Sequence, residues 1–122
     1  MQFRGMEDRL NPITPAGADE STLGGYAAVH GRAPGFEAPD GMAYTVAIDI
    51  DRPAEPSEGW AAYLVFLRWA EGGTAIMGHL ETGDLATGAT EAEARSALER
   101  LPLVRVREIL ELELERRRAS DG

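Results

Sequence analysis

The side chains best suited to chemistry in this chain are a histidine and a few carboxylates at alternating positions. His79 and Glu81 are two residues apart, and Asp84 follows closely. Asp49 and Asp51 alternate in the same way earlier in the chain. Side chains two apart on a strand share a face. Such a pair can hold a metal ion, as in some nucleases, or act as general acid and base.

A convergent site would need more residues than these. Only His79, Glu81 and Asp49 could approach one another, and strands two apart in a sheet are separated by roughly 9.6 Å. These three residues are therefore weak metal candidates, and a solvated or interface histidine is the favoured interpretation of His79. Asp49 and Asp51 are also typical of a half-exposed strand facing water. We expect no catalytic residue, metal or cofactor.

Missing residue types exclude several mechanisms. All 12 basic residues are Arg, and the chain has no Lys and no Cys. This leaves no Schiff-base or phosphate-loop lysine and no thiol nucleophile. Residues 83–90 precede a helix start, but Glu91 and Glu93 occupy its first turn and would repel a phosphate. No nucleotide-binding or serine-hydrolase motif occurs.

The charge balance is strongly acidic. The 21 acidic and 12 basic residues give a formal net charge of -9, which repels nucleic acid and anionic membranes and suits a basic protein partner. The longest apolar run, residues 60–67, is far shorter than the ~20 residues needed to span a bilayer. The N-terminus has no signal-peptide core. We expect a soluble, cytoplasmic protein that binds neither nucleic acid nor membrane.

Proline and glycine divide the chain into an arm and one domain. Residues 1–24 have no hydrophobic period and are predicted to form a flexible N-terminal arm. Residues 25–122 are predicted to form a single α+β domain. Within it, residues 27–38 are a weak strand candidate, placed at a sheet edge because they contain Pro34.

Three further segments carry strand signals. Residues 44–51 (YTVAIDID) alternate between apolar and polar side chains. Residues 60–71 (WAAYLVFLRWAE) are apolar at even and odd positions, so both faces of this strand need cover. Gly72 and Gly73 predict a two-residue hairpin into residues 74–82 (TAIMGHLET). The sequence therefore predicts an antiparallel meander of about four strands.

The two-residue hairpin predicts a register and two unlike sheet faces. It places Trp69 opposite Ile76 and Phe66 opposite His79. The more apolar face is predicted to lie under the helices and carries Val65, Leu67, Trp69, Ile76, Leu80 and the even residues of the 44–51 strand. The second sheet face is the predicted interaction surface and carries Trp60, Leu64, Phe66, Arg68, Met77, His79 and Glu81.

The C-terminal part is predicted to be helical. Residues 90–93 (TEAE) form a capping box, which predicts a helix that ends near Pro102. Residues 103–118 fit both a helical stripe and strand alternation, and helix is favoured because Glu, Leu and Arg are strong helix formers. One or two C-terminal helices would then pack on one face of the sheet.

An aromatic patch rimmed by charge is typical of a binding surface. The leading hypothesis is a non-catalytic interaction domain that self-associates through the second sheet face as a homodimer. Alternatives are an acidic adaptor that binds a basic protein partner and, more weakly, a small metal-dependent enzyme. Phe3, Met6 and Leu10 could instead fold over this face, which would make it internal.

One segment suggests a family. Residues 81–98 (ETGDLATGATEAEARSAL) resemble the strand, loop and acidic helix start of HicB-type antitoxins, over 18 of the 122 residues. The rest of the chain departs from that family, because a compact first hairpin and a proline-glycine element after the third strand are missing. The resemblance implies an antitoxin-like module with a protein partner.

Overall fold

The computed structural model describes residues 19–52 and 59–121. Within these ranges the strands form one antiparallel sheet in the order β1-β2-β3-β4, and β5 pairs with β3 beside β4. The predicted α+β architecture, with C-terminal helices on an antiparallel meander, is confirmed. In chain order the elements are α1 Leu23–His30, β1 Gly35–Glu37, β2 Ala43–Asp51, β3 Trp60–Trp69, β4 Ile76–Glu81, β5 Ala86–Gly88, α2 Glu91–Glu99 and α3 Leu103–Asp121.

The β2–β3 pair is the centre of the sheet. It runs without interruption from Ala43 opposite Trp69 to Asp51 opposite Ala61. Because opposed residues share a face, the even-numbered residues of both strands lie on one side. The core forms on that side, where α1, α2 and α3 bury their apolar residues. Its buried members include Leu23, Tyr44, Val46, Leu64, Phe66, Leu80, Ala94, Leu98, Val106, Ile109 and Leu110.

Both C-terminal helices form as predicted. At the start of α2 the Thr90 hydroxyl accepts a hydrogen bond from the Glu93 N–H at 3.1 Å, and the Glu93 carboxylate accepts one from the Ala89 N–H at 2.9 Å. The second helical segment is α3, and the alternation of its leucines and valines does not make it a strand. Val106 and Leu110 of α3 are fully buried, so the helical stripe decides its orientation. No helix in the described ranges is long and apolar enough to cross a membrane.

The predicted strand over residues 27–38 is wrong in its first part. The chain forms α1 at Leu23–His30, and only Gly35–Glu37 pairs with β2. Thr22 caps the helix by accepting the Gly25 N–H at 3.0 Å. Two glycines in the first turn lower the intrinsic helix propensity of this segment, so the sequence pattern did not predict a helix here. Packing of Leu23 into the core outweighs that propensity.

The final residues of the predicted arm are part of this architecture. The Leu23 N–H donates to Leu101 at 2.8 Å, and the Leu103 N–H donates to Ser21 at 2.7 Å. These bonds join the start of α1 to the α2–α3 junction. Residues 1–18, and with them Phe3, Met6 and Leu10, lie outside the described residues.

The predicted hairpin register is wrong by one residue beyond the turn. Trp69 does pair with Ile76, but Arg68 then pairs with Gly78 and Phe66 with Leu80. Met77 is the extra residue of a β-bulge, which shifts every later pair by one. The two faces of β3 are also exchanged relative to the prediction, because β3 pairs with β2 even residue to even residue and so turns its even residues to the helices. Its even residues face the helices, and its odd residues form the other face.

Candidate interaction surface

One face of the sheet has no described helix over it, and we call it the open face. It is formed by the odd residues of β2 and β3 together with the β4 residues opposed to them. The described helices pack against the even residues on the other side. The open face contains Thr45, Ala47, Asp49, Asp51, Tyr63, Val65, Leu67, Trp69, Ile76, His79 and Glu81.

The predicted interaction surface is only partly on this side. Leu64 and Phe66 are core residues with no exposed surface, so they cannot contact a partner. Trp60 is half-buried against the core, and the Arg52 guanidinium lies 4.6 Å from its ring centroid. Arg68 is opposed to Tyr44 on the helix side of the sheet. The prediction is wrong for these four residues, because the even residues of β3 pair with the even residues of β2 and lie on the helix side of the sheet.

Three of the predicted surface residues are exposed and lie on β4. His79 and Glu81 belong to the open face, and Met77 is 62% exposed at the bulge. The residues that the prediction missed are Tyr63, Val65, Leu67, Trp69 and Ile76. The uninterrupted apolar run of β3 did indicate that both faces of this strand are apolar. It did not indicate whether the odd-numbered or the even-numbered residues lie on the open face.

One end of the open face is apolar. Leu67 and Trp69 are partly exposed, and Ile76, beside Trp69, is 53% exposed. The Trp69 indole N–H donates to the Thr45 hydroxyl at 2.9 Å. This bond fixes the ring against the sheet and satisfies its polar atom. The apolar end is thus a pre-organised aromatic and aliphatic patch.

The other end of the open face is acidic. Asp49 and Asp51 lie on β2, and Glu81 is opposed to Val65 on β4. The Tyr63 hydroxyl donates to Asp49 at 3.1 Å. This hydrogen bond, with the nearby negative charges, raises the pKa of Tyr63 above its usual value. None of the open-face residues is an arginine, so the described charges at this end are all negative.

The candidate chemical residues do not gather into a site. His79 Nε2 lies 3.5 Å from a Glu81 carboxylate oxygen, and both side chains are more than half exposed. Asp49 is on β2, on the far side of β3 from this pair, and is engaged with Tyr63 and the Ile50 N–H. Within residues 19–52 and 59–121, no group of three or more His, Cys, Asp or Glu side chains could hold a metal ion. The arrangement is suited to contact with a partner.

Comparison with protein-family models, with curated proteins and with solved structures finds no match for this chain.

Proposed function

We propose that this protein is a non-catalytic interaction domain that self-associates through the open face, as a two-fold homodimer. The observation that carries the proposal is the partly exposed patch of Leu67, Trp69 and Ile76, which no described helix covers. A contiguous apolar patch exposed on a folded domain usually indicates a contact surface. Removal of this patch from water supplies the driving force for association.

The distribution of charge along the strands suits a two-fold contact. Asp49 is opposed to Tyr63, six residues along β3 from Trp69, which corresponds to roughly 20 Å at about 3.3 Å per residue. A two-fold axis near Leu67 and perpendicular to the strands would place the acidic ends of the two copies at opposite ends of the dimer. Their separation would exceed the Debye length of about 8 Å at physiological salt. The net charge of -9 therefore does not prevent a contact centred on the apolar end.

Trp69 would be the anchor of this contact. Tryptophan is enriched among the residues that dominate binding energy at interfaces. Its hydrogen bond to Thr45 already holds the ring in one orientation, so little side-chain entropy remains to be lost on association. Leu67 and Ile76 flank it on the neighbouring positions of β3 and β4.

Sedimentation equilibrium of two matched variants tests the proposal. Leu67→Glu places a charge in the patch, whereas Leu112→Glu places the same charge on α3, where Leu112 is already 55% exposed. We expect the wild type and Leu112→Glu to be dimers and Leu67→Glu to be a folded monomer. A wild type that stays monomeric at all concentrations, or a dimer unaffected by Leu67→Glu, would contradict the proposal.

A second candidate function is favoured by the acidic end of the open face. Asp49, Asp51 and Glu81 would complement a basic protein partner, as in an acidic adaptor or an antitoxin-like module. An arginine-rich peptide is a suitable probe. Its binding should weaken with salt and with the triple change Asp49→Asn, Asp51→Asn and Glu81→Gln. Binding that is unchanged by this triple variant would rule out the acidic end as the contact.

A further inference from the structure

A groove lies at the opposite edge of the sheet from β4, away from the open face. Its volume is about 530 Å³. The free edge of β2 forms one wall, through Val46 and Ile48, and α1 contributes Leu23 and Ala27. The groove is thus a mainly apolar channel that runs along the edge of β2 with no described strand beside it.

Pro34 is the reason that the pairing of β1 with β2 stops before this part of β2. β1 pairs with β2 only as far as Gly35 opposite Thr45. Pro34 still accepts the Val46 N–H through its carbonyl, at 3.4 Å, but proline has no N–H to return to the Val46 carbonyl. The ladder ends there. Among residues 19–52 and 59–121, the remainder of β2 is a sheet edge, along which backbone groups lack the partners a further strand would supply.

Two backbone groups on this edge are available to a new strand. In an antiparallel sheet, N–H and C=O groups alternate between the two sides of a strand, so those of Val46 and Ile48 point away from β3. Among the described residues, neither the Val46 carbonyl nor the Ile48 N–H has a hydrogen-bond partner. The Ile48 carbonyl has only a long contact with Arg95 Nη1, at 3.4 Å.

The charged residues of the groove favour an acidic side chain on any strand that pairs with this edge. Arg32 and Arg95 line it, with Glu99 as the single acid. The excess of positive charge contrasts with the net charge of -9 for the whole chain. A peptide N–H that replaced Arg95 at the Ile48 carbonyl would free this guanidinium to bind a carboxylate, the group for which its geometry is best suited.

We propose that this groove binds an extended peptide segment of a partner protein, which adds to β2 as an edge strand and places an acidic side chain beside Arg95. Backbone hydrogen bonds to Val46 and Ile48 would provide the pairing, and the apolar wall would receive alternate side chains, as in other strand-addition complexes. Of the residues that line the groove only Ala47 belongs to the open face, and none belongs to its apolar end, so the test does not depend on the proposed dimer.

The test uses the full chain, isotope-labelled for amide NMR, and a blocked hexapeptide of sequence Thr-Val-Glu-Val-Thr-Val. Matched peptides carry Lys in place of Glu, or Pro in place of the central Val. We expect the Glu peptide to shift and protect the Ile48 amide. The Lys peptide should bind more weakly by about ten-fold or more, the loss typical of a hydrogen bond to a charged group. The Pro peptide cannot donate at that position and should also bind weakly.

Two exposed arginines provide a matched pair of variants. Arg95→Gln should reduce the affinity for the Glu peptide to that for the Lys peptide, while Arg100→Gln, just beyond the end of α2, should leave it unchanged. Any of three results would overturn the proposal: no binding at millimolar peptide, shifts confined to the open face, or an Ile48 amide already protected before peptide is added. The last would mean that the chain itself occupies the groove.

Discussion

Adjacent residues on β3 should differ sharply in their contribution to stability. Phe66 has no exposed surface and packs in the core between the sheet and the helices. Leu67 points to the open face and is partly exposed. Truncation of a buried Phe to Ala typically costs about 3–5 kcal/mol, because buried surface is lost and a cavity remains. Full burial of a Leu side chain is worth roughly 1.5–3 kcal/mol, so truncation of the partly buried Leu67 should cost about 1 kcal/mol or less.

The assay is urea unfolding of Phe66→Ala and Leu67→Ala, followed by the helical circular dichroism signal at protein concentrations low enough for monomers. A loss of about 4 kcal/mol is a large part of the 5–15 kcal/mol that holds a typical domain together, so Phe66→Ala should unfold at a much lower urea concentration than the wild type. A larger loss for Leu67→Ala than for Phe66→Ala would refute the assignment of faces. It would mean that the odd residues of β3 lie under the helices, as in the register first predicted from the sequence.

Three other perturbations follow from single contacts. Burial and the hydrogen bond to Asp40 raise the pKa of Tyr44 to about 12 from 10.0, so this residue should lower the free energy of unfolding as pH rises from 10 towards 12, by at most roughly 3 kcal/mol. In urea titrations across that range Tyr44→Phe should reduce the fall, and the part that remains should include the contribution of Tyr63, whose pKa is also raised. Thr82 is buried, and its hydroxyl accepts the Leu64 N–H at 3.0 Å and donates to a backbone carbonyl at 2.7 Å. Thr82→Val should therefore cost about 1–3 kcal/mol in urea unfolding, and Thr82→Ser much less. Gly25→Ala would place a Cβ 1.8 Å from the Asp19 carbonyl oxygen, so it should lower the free energy of unfolding by about 1–3 kcal/mol and with it the melting temperature. A change from Gly to Ala within a helix ordinarily stabilises, so an unchanged or higher melting temperature would contradict this close approach.

The fold class could be predicted because its signals are local. Residues 44–51 alternate with a period of two, and the structure places β2 there. Residues 90–93 supply their own cap, and α2 begins at Glu91 as that capping box predicts. Each of these signals is contained within a few neighbouring residues, so it does not depend on the rest of the chain.

The faces of the sheet could not be predicted, because β3 is apolar at both parities. Leu64 and Phe66 are no more hydrophobic than Val65 and Leu67, so pattern alone cannot choose which pair is buried. The choice depends on the β2–β3 pairing, and the bulge at Met77 then decides which β4 residues join each face. The isolated Gly78 is a local sign of a bulge, but it does not say which residue is inserted. The helix α1 was missed for a related reason, since long-range packing of Leu23 outweighs two glycines.

The central claim is that two copies of this chain meet through the apolar end of the open face. The most direct measurement is an isotope-filtered NOE experiment on a mixture of labelled and unlabelled protein, which detects only contacts between copies. The account predicts cross-copy contacts from the Trp69 indole to Leu67 and Ile76 side chains. Cross-copy contacts confined to the helices, or none in a sample shown to be monomeric, would contradict it.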